Sequence, residues 1–159
     1  MKNITKTILY LQMTALFLTA ALADPGAAGK AVPFKGTIQA VETFDVDFPT
    51  LFSHGSGAGQ ATHLGRFAVT YEFEINIPAA SGTGPAHFVA ANGDSLFTEV
   101  TGQASPTADP DISFIVETHT ITGGTGRFAG ATGSFTLERL ISLATGVTSG
   151  SFDGTIVIH

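Results

Sequence analysis

Strict alternation of apolar and polar residues over positions 67–77 is the feature that most constrains this chain. Six apolar side chains occupy every second position there: Phe67, Val69, Tyr71, Phe73, Ile75 and Ile77. The positions between them carry Ala68, Thr70, Glu72, Glu74 and Asn76. A period of two places each set on its own face of an extended strand. The segment therefore predicts a strand of an antiparallel sheet with one buried and one solvated face.

Similar alternation recurs along the chain, at residues 34–44, 86–91, 95–101, 112–121, 134–143 and 151–158. The dipeptide Asn92-Gly93 is preferred in two-residue hairpins. Other segments are rich in the turn formers Gly, Pro, Ser and Asp, namely 78–85, 105–111 and 144–150. Gly65 predicts a bend that splits the long second run into two strands. The pattern predicts an all-β domain of about eight antiparallel strands.

Eight such strands form either a closed barrel or a β-sandwich. Barrel closure removes the exposed sheet edges that invite aggregation. The interior of an eight-stranded barrel is filled by side chains or holds one small ligand. We therefore predict a closed antiparallel β-barrel, with the β-sandwich as the alternative.

The first 23 residues resemble a secretory signal peptide. Two early lysines precede an apolar run, and a small-x-small cleavage site ends at Ala23. A membrane anchor is the rival interpretation, but polar residues interrupt the run, which is shorter than the roughly 20 apolar residues of a spanning helix. Residues 24–33 are small and predict a flexible leader. We expect one domain at 34–159 and a secreted or periplasmic location.

The charge balance restricts the partners. Cleavage after Ala23 would leave 5 basic and 13 acidic residues, so the formal charge would be 5 minus 13, or −8. Neither nucleic acid nor an anionic membrane is an expected partner of such a chain. The chain has no cysteine, so its stability must come from apolar burial.

A glycine-rich segment, TGGTGRFAGATGSF at 122–135, resembles an element of the dirigent and allene oxide cyclase barrels. The matching positions are Gly124, Thr125, Gly126, Phe128, Gly130, Ala131 and Gly133. The resemblance implies a calycin-like barrel. Four glycines in ten residues suit a tight turn in which Phe128 plugs one barrel end. The resemblance covers about fifteen residues and concerns the fold, and the catalytic residues of those families do not match here one by one.

Polar residues on predicted apolar faces are candidates for a site, because burying a polar group without a partner is costly. Glu42 shares its parity with Ile38 and Ala40, and Arg139 lies on the face of Leu137 and Ile141. The face of Phe67 continues backward through Gly65 to His63. Glu42, Arg139 and His63 are therefore the candidate catalytic residues. A structural ion pair, or charged heads in water, is the alternative.

Glu117 and His119 lie two apart on one strand and share a face, but the pattern leaves open which face is buried. With the apolar-face residues they complete the predicted lining of a ligand cavity, which is Phe67, Tyr71, Phe73, Phe135, Glu117 and His119. No metal site is predicted, because the five histidines are scattered and no pair has a ligand spacing. No cofactor is expected.

Three functions remain open on the sequence. The first is an exported barrel that binds a small hydrophobic ligand in its lumen, with residues 45–60 as a loop at the mouth. The second is a cofactor-free cyclase or isomerase, or a dirigent-like protein, that shapes a reactive apolar substrate through Glu42, Arg139 or His63. The third is a structural or interaction module that acts through its surface or as a homo-oligomer.

Overall fold

The computed structural model describes residues 29–159, so the predicted signal peptide and residues 24–28 lie outside the described residues. The described chain forms eight strands and one 3-10 turn. The strands are β1 Lys30–Asp47, β2 Thr50–Ala61, β3 Gly65–Asn76, β4 Ser81–Ala90, β5 Ser95–Pro106, β6 Ile112–Gly124, β7 Thr132–Ser142 and β8 Val147–Ile158. The 3-10 turn, Gly126–Phe128, lies between β6 and β7.

The eight strands close into one antiparallel barrel in sequence order. Each strand pairs with its neighbours in the chain, and β1 closes the barrel against β8 through pairs that include Lys30 with Ile158 and Val41 with Val147. The predicted closed β-barrel is confirmed, and the sandwich is excluded. No helix in residues 29–159 is long and apolar enough to cross a membrane.

Several predicted boundaries differ from the observed ones. Residues 30–33 belong to β1 and not to a leader, because β8 extends to Ile158 and supplies their partners. Most of 45–60, predicted as a mouth loop, is strand β2 and the end of β1. Small residues on β2 hid its alternation from the sequence pattern. The break near Gly65 is confirmed, since β3 begins there with a φ of 70°.

Aromatic rings fill the middle of the barrel. The Phe34 and Phe152 ring centroids lie 5.3 and 4.7 Å from that of Phe135, and Phe67 and Phe88 are 5.4 Å apart. These spacings are those of packed aromatic pairs. The barrel therefore has a solid core of side chains over most of its length.

One end of the barrel is closed and the other is more open. Phe128 and Leu64 are fully buried across the end that holds the 3-10 turn, as the glycine-rich segment predicted for Phe128. At the opposite end, Ile75 and Ile115 are only partly buried. This second end is called the mouth below.

Candidate functional site

A buried ion cluster lies in the lumen below the mouth. Arg139 donates from Nε and Nη2 to Oε1 of Glu117, at 3.0 and 2.6 Å, and from Nη1 to Oε1 of Glu42. All three side chains are at most 4% exposed. The arginine on β7 thus bridges two carboxylates from β1 and β6. We call Glu42, Glu117 and Arg139 the ion cluster.

Hydroxyl groups complete the ion cluster. Ser53 and Tyr71 donate to the two oxygens of Glu42, at 2.6 and 2.8 Å. Arg139 also donates to Oγ1 of Thr148, at 3.0 Å, and Thr148 in turn donates to the carbonyl of Leu140. The carboxylates and the guanidinium therefore have protein partners, which is the condition under which buried charges are tolerated.

Burial and the neighbouring charges of the ion cluster shift the pKa values of Glu117, Arg139 and Tyr71. Burial raises the pKa of Glu117, but the contact with His119 and the charge of Arg139 outweigh it, so the net pKa is below its usual value. Burial lowers the pKa of Arg139, but the carboxylates of Glu117 and Glu42 outweigh burial, so the net pKa is above its usual value. Burial and the charge of Glu42 raise the pKa of Tyr71. Arg139 stays charged and Tyr71 stays a neutral donor.

His119 joins the ion cluster to the aromatic core. Its ring stacks on Phe135 at 4.4 Å between centroids, and its Nδ1 lies 3.0 Å from the Thr98 hydroxyl. Its Nε2 has no hydrogen-bond partner in residues 29–159 and faces Oε2 of Glu117 at 3.5 Å. The buried face of β6 is thus the one that carries Glu117 and His119.

The structure separates the three predicted catalytic residues. Glu42 and Arg139 meet in the ion cluster, whereas His63 is exposed in the turn between β2 and β3 with a φ of 61°. The alternation that leads back from Phe67 to His63 is interrupted at Leu64, in the turn between β2 and β3. Placing His63 on the inner face was therefore wrong.

The predicted lining residues do face the lumen, but as a packed core. Phe67, Tyr71, Phe73 and Phe135 are each at most 7% exposed. Inward glycines on β2 make room for two of these rings, since a Cβ at Gly55 would overlap the Tyr71 ring and one at Gly59 would crowd Phe67.

Three polar residues that support the ion cluster and His119 were missed by the sequence reasoning. Ser53 and Thr148 lay in segments predicted as loops. Thr98 shares its parity with Leu96 and Val100, so the strand pattern contained a signal for it. Its hydroxyl is fully buried against His119.

A small cavity remains at the mouth. It has a volume of about 40 Å³ and is lined by Phe73, Ile75, Ala80, Gly82, Val100, Gly102, Gln103, Ala104, Ile115, Glu117 and Arg139. Pockets that hold small molecules usually measure about 300–1,000 Å³, so this one has room for water but not for such a ligand as it stands.

A much larger space lies on the outside of the barrel, in a groove of about 800 Å³. Two rows of outward side chains line it, and each row crosses five strands. The polar row is Glu138, Ser151, Thr37, Gln60 and Arg66, and the mixed row is Phe114, Leu140, Ser149, Gln39 and Ala58. We call this space the outer groove.

No group of three or more His, Asp or Glu side chains in the part of the chain that the structure describes is arranged to hold a metal ion. No family model, curated protein or solved structure matches the chain. The site must therefore be interpreted from its own geometry.

Proposed function

We propose that this chain is an exported binding module that acts through the outer wall of its barrel, at the outer groove. The observation that carries the proposal is the contrast in free space. The lumen keeps about 40 Å³, whereas open spaces of about 300 to 430 Å³ lie on the outer wall and the outer groove offers about 800 Å³.

The chemistry of the ion cluster supports a structural role for the lumen. Arg139 binds both carboxylates, and hydroxyls donate to both oxygens of Glu42, whereas Oε2 of Glu117 faces Nε2 of His119 at 3.5 Å without a hydrogen bond. A general acid or base needs a free position within hydrogen-bond reach of a substrate. The cyclase or isomerase alternative has less support, because the cavity of about 40 Å³ beside Glu117 and Arg139 has no room for a substrate and His63 faces solvent.

The outer groove, by contrast, presents side chains that are free to bind. In residues 29–159, the side chains of Thr37, Gln39, Gln60, Ser149 and Ser151 make no hydrogen bond with the protein. Each is exposed. Serine, threonine and glutamine both donate and accept, so these groups can bind a polar ligand without first breaking internal contacts.

Chemical-shift mapping of backbone amides tests the location. We expect members of a mixed library of small polar and apolar molecules to shift the amides of Gln39, Gln60 and Ser149, and not those of Phe88 and Phe135 in the core. Shifts confined to the core would contradict the proposal, as would shifts nowhere on the barrel.

A blocking variant sharpens the test. Ser149 lies between Leu140 and Gln39 in the middle of the mixed row, so Ser149→Trp should fill the outer groove and abolish the shifts. Thr118→Trp is the matched control, since Thr118 is exposed on β6 outside the groove lining. Equal effects of both variants would contradict the proposal.

Binding of a small hydrophobic ligand at the mouth is a second candidate, and the mouth cavity favours it. Apolar side chains such as Ile75 and Ile115 surround this cavity, and Glu117 and Arg139 form its floor. A ligand would have to displace the partly buried isoleucines. Titration with a fluorescent fatty acid tests this candidate: saturable binding that Ile115→Trp abolishes would support it, and no binding would refute it.

Membership of the dirigent and allene oxide cyclase-like barrels also stands as a proposal. The closed eight-stranded barrel and the buried Phe128 at its plugged end support it. The resemblance concerns the fold, and the packed lumen lends no support to the ring-closing chemistry associated with those barrels.

A further inference from the structure

We infer that the ligand of the outer groove is a neutral, polyhydroxylated molecule of the carbohydrate class. This inference rests on the proposed function and adds the chemistry of the ligand to it. It depends on the composition of the two rows, their charge balance and the absence of free strand edges along the groove.

The dimensions of the outer groove suit a chain-like ligand. Each row crosses five of the eight strands, a path of about 19 Å along the curved barrel wall at the usual strand spacing of about 4.8 Å. The rows lie two residues apart along the strands, for example Thr37 and Gln39 on β1, which is about 7 Å. The outer groove is therefore a long, narrow path around the barrel wall, which a flexible chain-like ligand such as a short oligosaccharide can follow.

The two rows match the two kinds of surface that a sugar ring has. The polar row offers hydroxyl and amide groups in its centre: Ser151, Thr37 and Gln60. These groups donate and accept, as sugar hydroxyls do. The mixed row places Phe114 and Leu140 side by side across β6 and β7. These apolar side chains suit the C–H face of a pyranose ring.

Charge argues for a neutral ligand. The polar row has one acid at one end, Glu138, and one base at the other, Arg66. Their charges cancel, and the three positions between them are uncharged. An anionic ligand would need more cations than Arg66 supplies, in a chain with a formal charge of −6.

Two other occupants fit less well. An extended peptide binds by adding a strand to a free sheet edge, and the strands under the groove are paired on both sides along the closed barrel. A second copy of the chain in a two-fold dimer would place the same surface against itself. Two copies of a concave surface leave an unfilled space between them, so a small ligand is favoured over a second copy of the chain.

Calorimetric titration of the protein with three uncharged oligosaccharides, maltotriose, cellotriose and N,N′,N″-triacetylchitotriose, tests the inference. We expect saturable binding of at least one of them. The charged comparison probes are trigalacturonate, an anion, and chitotriose, a cation. Tighter binding of either charged probe than of every neutral one would overturn the inference while leaving the proposed function intact.

Variants locate the binding. Gln39→Ala with Gln60→Ala removes two amide groups, and the loss of each hydrogen bond weakens binding severalfold, so the double variant should bind about tenfold or more weakly. The matched control, Thr118→Ala with Thr136→Ala, changes two exposed residues that pair across β6 and β7 outside the groove. Its affinity should not change.

The remaining outcomes separate the two proposals. If an oligosaccharide binds but the glutamine variant and its control bind it equally, the inference is wrong. If no probe binds and the library also fails to shift the groove amides, both the inference and the proposed function fail. Self-association that Ser149→Trp abolishes would point to a second copy of the chain and overturn the inference.

Discussion

Replacing Arg139 by methionine removes the positive charge that the buried carboxylates of Glu42 and Glu117 share. The methionine has no charge, so both carboxylates stay in the barrel without a cation. Breaking a buried ion pair by removing one partner costs about 3–5 kcal/mol, because the remaining charge stays desolvated. Ser53 and Tyr71 still donate to Glu42. We expect the free energy of unfolding at neutral pH to fall by about 3–5 kcal/mol.

The pH dependence of stability should change sign in this variant. In the natural chain the pKa of Glu117 is lowered. Its contribution to stability is therefore present above the unfolded carboxyl pKa and is lost as pH falls through the folded pKa. Without Arg139, the contact with His119 is left to oppose burial, and we expect burial, the largest single influence, to raise the folded pKa of this carboxyl above its unfolded value. The folded state then binds the proton more tightly, so stability should increase as pH falls from neutral toward the carboxyl pKa.

Urea unfolding followed by circular dichroism, at neutral and at mildly acidic pH, measures both effects. Arg66→Met is the matched control, because Arg66 is exposed on the outer wall, and it should change the unfolding free energy by no more than about 0.5 kcal/mol. If Arg139→Met does not fold at neutral pH, we expect acid to restore the fold. A loss below about 1 kcal/mol, or a pH slope parallel to that of the natural chain, would refute the reasoning.

Three further substitutions probe the packing, each measured by urea or thermal unfolding. Gly55→Ala should cost about 1–3 kcal/mol, because its methyl group would overlap the Tyr71 ring, and an unchanged melting temperature would contradict the close contact. Tyr71→Phe removes a donor to the Glu42 carboxylate and should cost about 1.5–3 kcal/mol, so a neutral result would argue against that bond. Phe128→Ala should cost about 3–5 kcal/mol, whereas Phe48→Ala, at a side chain that is 74% exposed, should cost under about 0.5 kcal/mol. Similar losses for the two phenylalanines would exclude the plug.

The alternation of side chains was enough to predict much of the fold. Phe67 to Phe73 on β3 face inward at every second position, as the sequence indicated. The same reasoning failed on β2, where the inward positions include Gly55 and Gly59. A glycine has no side chain and so leaves no apolar signal. What those positions contribute is space for Tyr71 and Phe67, which only the partner strand reveals.

The site was predictable to a lesser degree. Glu42 and Arg139 were found because a charged residue on an apolar face breaks the strand pattern. Glu117 was predicted as a candidate, but its contact with Arg139 was not, because the two faces of β6 are similar in polarity and the sequence does not show which one is buried. His63 was misplaced because the pattern does not show where a strand ends and a turn begins. The outer groove left no signal, because exposed Ser, Thr and Gln residues are ordinary on any solvated face.

The sequence by itself determined that the described chain is all-β and that its strands follow one another as hairpins, and it singled out Glu42 and Arg139 as charged residues on apolar faces. These properties belong to single strands and turns, whose period and backbone angles depend on neighbouring residues. Only the tertiary structure decided that the lumen is full, that Arg139 lies between Glu42 and Glu117, and that two rows of side chains meet in one groove. Those properties depend on the register of all eight strands and on barrel closure, which join residues as far apart as positions 42 and 139.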